Sequence, residues 1–543
     1  MSITKNLLTT FLLFILLSQT SSASVDPDKD YPLTKEYQQS VEDARGQTLY
    51  IPKASADIVI TGNKQDEISV KAIVDISEME AEQRDAFFAK TRLHLAPSGR
   101  GYKLKLEYPK VESKPRFSFL GIKIFGSTYS IAIQYIITVP DSMSIELENK
   151  YGDVAIKNVS GTHFIENHSG ELEIVNCGGS MELKNNYAKI RVIDFNGDVE
   201  AETGSCPVIV ENINGNVNLD ARYKSIDFEN ILGDLRIEAE SCDIYGRQVS
   251  GNCIISNSYQ PVEINGIGGT LELKAESSKI DVSDVQNDAR IFNTYKDVIV
   301  RRIHGNLEID GEASPISVKD VQKTLIIRNT YKSISVENVS ESLDIRAESC
   351  PIDIINVVGS AKIRNTYKPV IIKNVGGSVE MGTESCPIEI SKAGDNVVLR
   401  GTYKEIRGNN IKGDLKIDAE SCPVLVDSVG GEINISNTYK YVILSNTNSS
   451  IFIEGQGSPV EISQINNLPS DGYIKVFTTY KNIKVLVPQE LDAQVFLKTD
   501  YGKIKSDLPA YYNDERDEVD DRKDRGLPVI QLETSGDIIL RQE

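Results

Sequence analysis

Nine tyrosines recur every 36 residues without one insertion: Tyr151, Tyr187, Tyr223, Tyr259, Tyr295, Tyr331, Tyr367, Tyr403 and Tyr439. A period held over that length requires a stack of equivalent units rather than a conventional globular core. A second set with the same spacing runs about midway between them: Cys206, Cys242, Ser278, Ser314, Cys350, Cys386, Cys422 and Ser458. The unit therefore has two halves, and apolar columns emerge at a period of 18. One runs from Leu172 through Ile190, Val208, Ile226 and Ile244 to Val442 and Val460. Two residues later another runs through Ile174, Val192, Val210 and Phe228 to Ile462, broken at Gly246 and Gly408. A third includes Val217, Leu235, Leu271, Leu307, Leu325, Leu343 and Leu415.

Each half-unit reads as two short alternating strands, as in Leu325-Ile326-Ile327 and Ile334-Ser335-Val336. Period-two alternation of β-branched residues is a strand signal, and no stretch offers competing helical spacing. Asparagines at Asn158, Asn176, Asn212, Asn230, Asn338, Asn356, Asn374, Asn410 and Asn446 share one register, with Gly161, Gly179, Gly197, Gly215, Gly233 and Gly251 three residues on. Both residue types suit corners, asparagine because it tolerates left-handed backbone and glycine because it permits a tight bend. So short a coil cannot bury an apolar face alone, so successive coils must stack with their strands paired in parallel. The expected fold is all-β: a single-stranded parallel β-helix or β-solenoid of 18-residue coils, two short strands per coil in a 36-residue double repeat. It is expected to be right-handed, by the rule for parallel crossovers, and capped at both ends, because an open terminal coil would expose strand edges.

The organisation around this array is read as a signal peptide at 1–23, a linker at 24–47, and a strand-rich cap at 48–140 with one short helix. The regular solenoid spans 141–465, and divergent coils with a cap occupy 466–543, including a charged loop at 513–525. Lys5, the apolar run Leu7–Leu17 and the small residues Ser21-Ser22-Ala23 have the three-part pattern of a cleavable export signal. The run is too short to span a bilayer, and no later segment is apolar enough. The short helix is expected to open at Ser77 with Glu80 three residues on, a capping-box pattern. Export to the periplasm, cell surface or medium is the expected localisation. The net charge of −20 repels nucleic acid and anionic lipid, so neither is an expected partner.

Candidate chemistry is sparse. Cysteines of one column stand two coils apart, about 9.6 Å, beyond the ~7 Å Cα separation a disulfide can bridge, so free thiols are expected. Cys177 and Cys253 fall in apolar columns. Ligands strung along a rod do not converge, so no metal or cofactor is expected, and the charged stretch Asp514–Asp524 is favoured as a solvated loop over a loose calcium site. His94, His163, His168 and His304 are scattered. No catalytic residues are assigned, because the uninterrupted register leaves no loops to carry them.

Two surface features are candidates for binding. Tyr295, Tyr331, Tyr367, Tyr403 and Tyr439 alternate with small residues, which reads either as an exposed aromatic ladder for a glycan or, the favoured reading, as rings covering the adjacent coil's small residue. Strand parity leaves open whether they face in or out. Arg328, Arg346 and Arg364 form a strip that could hold an anionic polysaccharide, but Asp344, Glu348 and Glu384 lie close in sequence register, and a neutralised surface is favoured.

Several short motifs also match a known pattern: Ser55 to Gly62 (Ser-Ala-Asp-Ile-Val-Ile-Thr-Gly), Ile137-Thr138-Val139-Pro140, Leu147 to Val154, and Glu533 to Ile538. On these the chain resembles the bacterial putative-adhesin family known by its DUF4097 domain, over the chain from about residue 48. The Tyr and Cys-Pro columns depart from that pattern, replacing the Ser-Gly-Asp turns common in the family. The resemblance implies a β-solenoid envelope or surface protein without assigned catalytic residues. The expected function is a non-enzymatic adhesin or cell-envelope scaffold presenting a repetitive face to an envelope or extracellular polysaccharide or to a surface protein. The alternative is a polysaccharide-acting β-helix lyase or hydrolase.

Overall fold

The computed structural model describes residues 33–77, 79–110, 117–119, 122–124, 130–508, 517–520 and 526–543. The expected signal peptide and most of the charged loop lie outside the described residues.

Strands of six residues separated by three-residue turns build the array, for example Leu325–Thr330, Ile334–Val339, Leu343–Glu348 and Ile352–Val357. Each strand pairs in parallel with the one 18 residues on, so that Leu325 faces Leu343, Ile327 faces Ile345, and Ile334 faces Ile352. About 18 coils stack in this way into a β-solenoid, as the period requires. Leu325, Ile327, Ile334, Val336 and Val339 are all buried, so each coil sends side chains from both strands into one continuous core.

The asparagine corner is left-handed, with φ near +60° at Asn338, Asn356 and Asn374. The side chains bond along the stack, Asn356 Nδ2 donating to Asn338 Oδ1 at 3.0 Å and Asn374 to Asn356 at 2.9 Å. In the following glycine column close approach matters more than bend: a Cβ on Gly233 would lie 2.4 Å from the Gly215 carbonyl oxygen.

Both ends abandon sequential order. The coil Thr48–Ala54 and Asp57–Asn63 pairs on one side with Ser144–Asn149 and Val154–Lys157. On its other side lie Gly101–Glu107 and Ser130–Pro140, the latter followed by the antiparallel strands Glu67–Ser77 and Leu33–Glu42. The stretch read as a linker thus contains the closing strand of the cap; its mostly polar sequence, Leu-Thr-Lys-Glu-Tyr-Gln-Gln-Ser-Val-Glu, lacks the apolar alternation of a core strand. The capping box does not form either. Ser77 ends a strand and its Oγ meets Ser130 Oγ at 2.6 Å, while the helix Ala81–Lys90 starts after Glu80 without a side-chain cap.

At the other end the strands Val529–Thr534 and Ile538–Gln542 insert between the coil Tyr473–Phe477/Ile483–Val487 and the coil Gln494–Thr499/Ile504–Ser506. The short antiparallel strand Glu518–Asp520 covers the outer edge of Gln494–Thr499. Antiparallel strands at both ends blunt edges that would otherwise add another chain.

The register makes a direct prediction. Ile352→Asp buries a carboxylate between Ile334 and Val370 and should cost several kcal/mol, whereas Ser335→Asp, on the exposed side of the neighbouring strand, should stay within about 0.5 kcal/mol. Thermal unfolding of the two variants checks it; equal losses would overturn the assignment of faces.

His163 occupies an inward position between Ile145 and Met181, fully buried, with neither ring nitrogen in hydrogen-bonding geometry. Burial pushes its pKa down to about 4, only partly offset by the peptides of Gly178 and Val159. As pH falls below about 6.5 the unfolded chain takes up this proton first, so stability should drop between there and about pH 4, by on the order of 3 kcal/mol, and then level off. Urea unfolding at pH 7 and pH 4.5 should show that His163→Met removes this part of the acid loss.

Candidate functional site

The tyrosine corner is built differently in alternate coils. In one coil the chain turns through Asn-Thr-Tyr-Lys, as at Asn365–Lys368; in the coil before it, through Glu-Ser-Cys-Pro, as at Glu348–Pro351. Asn365 is buried, and its side chain clamps the preceding coil: Oδ1 accepts from the Cys350 N–H at 3.3 Å, and Nδ2 donates to the Cys350 carbonyl at 2.7 Å and to the Lys368 carbonyl at 3.2 Å. Thr366 Oγ1 accepts from the Ser349 N–H at 3.1 Å, and the Tyr367 N–H donates to the Glu384 carbonyl in the next coil at 2.8 Å. The same clamp joins Asn257 to Cys242, Asn293 to Ser278, Asn329 to Ser314 and Asn437 to Cys422. Alternate coils carry Ala275, Gly311, Ala347 or Ala419 in the asparagine column, and a Cβ on Gly311 would already lie 2.8 Å from Asn329 Oδ1. From Asn257 to Asn365 asparagine alternates with a small residue in this column, whereas Asn149, Asn167 and Asn185 stack in three successive coils, Asn149 Nδ2 donating to Asn167 Oδ1 at 3.1 Å.

The tyrosines stand on the outside whether or not the clamp is present, since Tyr223 and Tyr403 follow Ala221 and Gly401 in the asparagine column. From Tyr223 to Tyr439 each sits at a φ of +62° to +68°, a conformation costly for a bulky side chain, and each is 57–66% exposed. The Tyr439 ring lies over the next coil, its Cδ1 3.5 Å from where a Cβ on Gly457 would stand, yet most of its surface faces solvent. Tyr295, Tyr331, Tyr367 and Tyr403 occupy equivalent corners. Each is followed by a lysine, Lys296, Lys332, Lys368, Lys404 or Lys440, and the intervening coils present Glu312, Glu348, Glu384 and Glu420.

The arginine strip stands on the strand face before this corner. Arg328 pairs with Glu308 at 2.5 Å and Asp310 at 2.8 Å, which hold its pKa above the ordinary range, and Arg346 pairs with Asp344 at 3.1 Å. Arg364 is separated from Arg400 by Gly382 and lies near Glu380, whose carboxyl is held below its usual range by Lys362 first and by these arginines as well. Acids partner the strip, though Glu308 and Asp310 do so at Arg328 rather than Glu348 or Glu384.

All seven cysteines are buried and unbridged. Burial pushes the thiols up, to about 11 at Cys350 and Cys386 and about 12 at Cys253, so they remain protonated and unreactive at neutral pH. The Cys350 thiol donates to the Glu348 carbonyl at 3.4 Å, and the Ser314 hydroxyl makes the same bond to Glu312. A groove of about 690 Å³ crosses the strand face between Thr162 and Thr270 and is lined by side chains from successive coils, among them Phe164, Asp198, Glu200, Arg236 and Ile254. Among the described residues no helix is long and apolar enough to cross a membrane.

No family model and no curated protein matches the chain. A solved structure that does match is a putative cell adhesion protein from Clostridium sporogenes, at 12% identity over 39% of this chain and 99% of that one, with a TM-score of 0.17. A score that low lies well below that of a shared overall fold.

Sequence reasoning missed the clamp. The signal was present, since Asn257, Asn293, Asn329, Asn365 and Asn437 lie two residues before tyrosines of the same register, but polar residues next to a corner read as turn formers rather than core. Asn365→Ala should cost about 1–3 kcal/mol by leaving the Cys350 peptide unpaired inside the protein. Cys350→Ser should cost about 1 kcal/mol or less, because serine already fills the same site at Ser278 and Ser314. Urea unfolding midpoints of the two variants check the pair.

Proposed function

We propose that this protein is a non-enzymatic, exported β-solenoid acting as an adhesin or cell-envelope scaffold, with the tyrosine corner as the face it offers to a glycan or protein partner. One observation carries the reading: a half-exposed tyrosine recurs at a left-handed corner where the fold itself accepts much smaller residues. Ala313, Ser349, Ser385 and Gly457 hold the same corner at φ between +51° and +68° in the alternate coils. Tyrosine is thus unnecessary for the turn, and what it adds is a large flat surface with a polar tip directed at solvent.

The register from Tyr151 to Tyr439, free of insertions, supports a presenting rather than a catalytic role, because it offers no projecting loops to gather an active site. The export-type N-terminus and the resemblance to the DUF4097 family point the same way. The arginine strip is the weaker candidate face, since acids pair with Arg328 and Arg346.

The test is incubation of the purified protein with acidic and neutral polysaccharides and with envelope fractions. Retention on an envelope or polysaccharide without release of reducing ends or unsaturated products is expected. Turnover of any of them would overturn the non-enzymatic reading in favour of a lyase or hydrolase.

A further inference from the structure

The tyrosine column does not stop where the sequence period stops. Pairing of Ile451–Gln456 with Tyr473–Phe477 places Tyr480 one coil beyond Gly457, and therefore two coils beyond Tyr439. The next coil in space is the inserted one, and its turn at this corner is Ser535-Gly536, set between Tyr480 and Tyr501 by the pairing of Ile538 with both Ile483 and Ile504. Tyr480 and Tyr501 are 78% and 87% exposed. The order large, small, large, small, large is thus maintained through Tyr439, Gly457, Tyr480, Ser535-Gly536 and Tyr501, although the chain visits those coils out of sequence. An insertion that breaks the repeat has preserved the spacing of the rings.

Resting on the reading above, we infer that this column is a binding track for an extended, uncharged β-linked glycan, with one tyrosine for each disaccharide. Rings in every second coil stand about 9.6 Å apart, which is close to the repeat of a β-1,4-linked disaccharide in an extended chain. The rings form a single file along a corner, each flanked in the adjacent coils by a small residue at the same position, as Tyr439 is by Ser421 and Gly457. Such a row offers flat apolar surfaces to the faces of sugar rings, but it lacks the paired aromatic walls that grip a proline-rich helix. Lys332, Lys368, Lys404 and Lys440 alternate along the corner with Glu348, Glu384 and Glu420, so the track has donors and acceptors for hydroxyl groups and no strong local field of either sign. The net charge of −20 disfavours a polyanion.

The experiment uses the mature protein and a variant in which every tyrosine of the column, the nine from Tyr151 to Tyr439 together with Tyr480 and Tyr501, is replaced by Ser, the residue that already occupies this corner at Ser349 and Ser385. Circular dichroism and thermal unfolding establish that the variant folds. Calorimetric titration with cello- and chito-oligosaccharides of two to eight sugars should show affinity rising severalfold with each added disaccharide, and the octasaccharide should bind the variant at least tenfold more weakly. Affinity independent of length, octasaccharide binding unchanged in the variant, or binding of a proline-rich peptide but of neither sugar series would each overturn the track. Envelope retention that survives in the variant would overturn the track while leaving the scaffold reading in place. Cleavage of the oligosaccharides with the stepwise affinity intact would uphold the track and remove the non-enzymatic reading.

Discussion

Every feature of this molecule depends on the parallel backbone ladder between coils. A residue in one strand finds its partner 18 positions away, as Ile334 does with Ile352 and Ile352 with Val370. A coil longer or shorter by one residue would turn its inward side chains outward and leave peptide groups unpaired in the interior. The ladder therefore forbids insertions inside strands and places equivalent side chains directly above one another. In the glycine corner the coils come so close that a Cβ at Gly233 has no room beside the Gly215 carbonyl.

Stacking of equivalents makes polar residues useful in ways that differ between corners. At the exposed corner Asn338, Asn356 and Asn374 can repeat in every coil, because each side chain both donates and accepts along the stack. At the buried corner Asn365 reaches back to the peptide of Cys350 in the preceding coil, where the smaller Ala347 stands in the asparagine column. Two kinds of coil result, each the complement of the other. Cysteine and serine interchange in the second kind because both donate to a nearby carbonyl from the same buried position. His163 differs again, a polar ring buried in an apolar column with neither nitrogen in hydrogen-bonding geometry, and it gives this part of the rod a sensitivity to acid that the leucines and valines of the same column lack.

A solenoid transmits stability between neighbours, so its ends matter out of proportion to their size. Here both ends are closed by strands taken from elsewhere in the chain: Leu33–Glu42 and Glu67–Ser77 at one end, and the inserted Val529–Thr534 with Glu518–Asp520 at the other. The rod between them gives the exposed tyrosines a regular spacing, which a flexible chain could not hold. That regularity links the fold to the proposed function.

Much of this was legible in the sequence. The 36-residue tyrosine period, the 18-residue apolar columns and the left-handed asparagines determine a parallel β-solenoid and identify its inward faces, because local alternation and turn chemistry agree in every coil. Where the pattern was weak, at the polar strand Leu33–Glu42 and at Ser77, the sequence misled, since an edge strand has little apolar alternation and its pairing comes from distant residues. Only the tertiary structure decided that the tyrosines face outward, since a corner residue at positive φ escapes the in-and-out rule that strand parity supplies. It also decided that Asn365 is core, and that Tyr480 and Tyr501 continue the column of Tyr439. These depend on which coils lie side by side, and a chain that inserts its last strands between two earlier coils does not record that in its order.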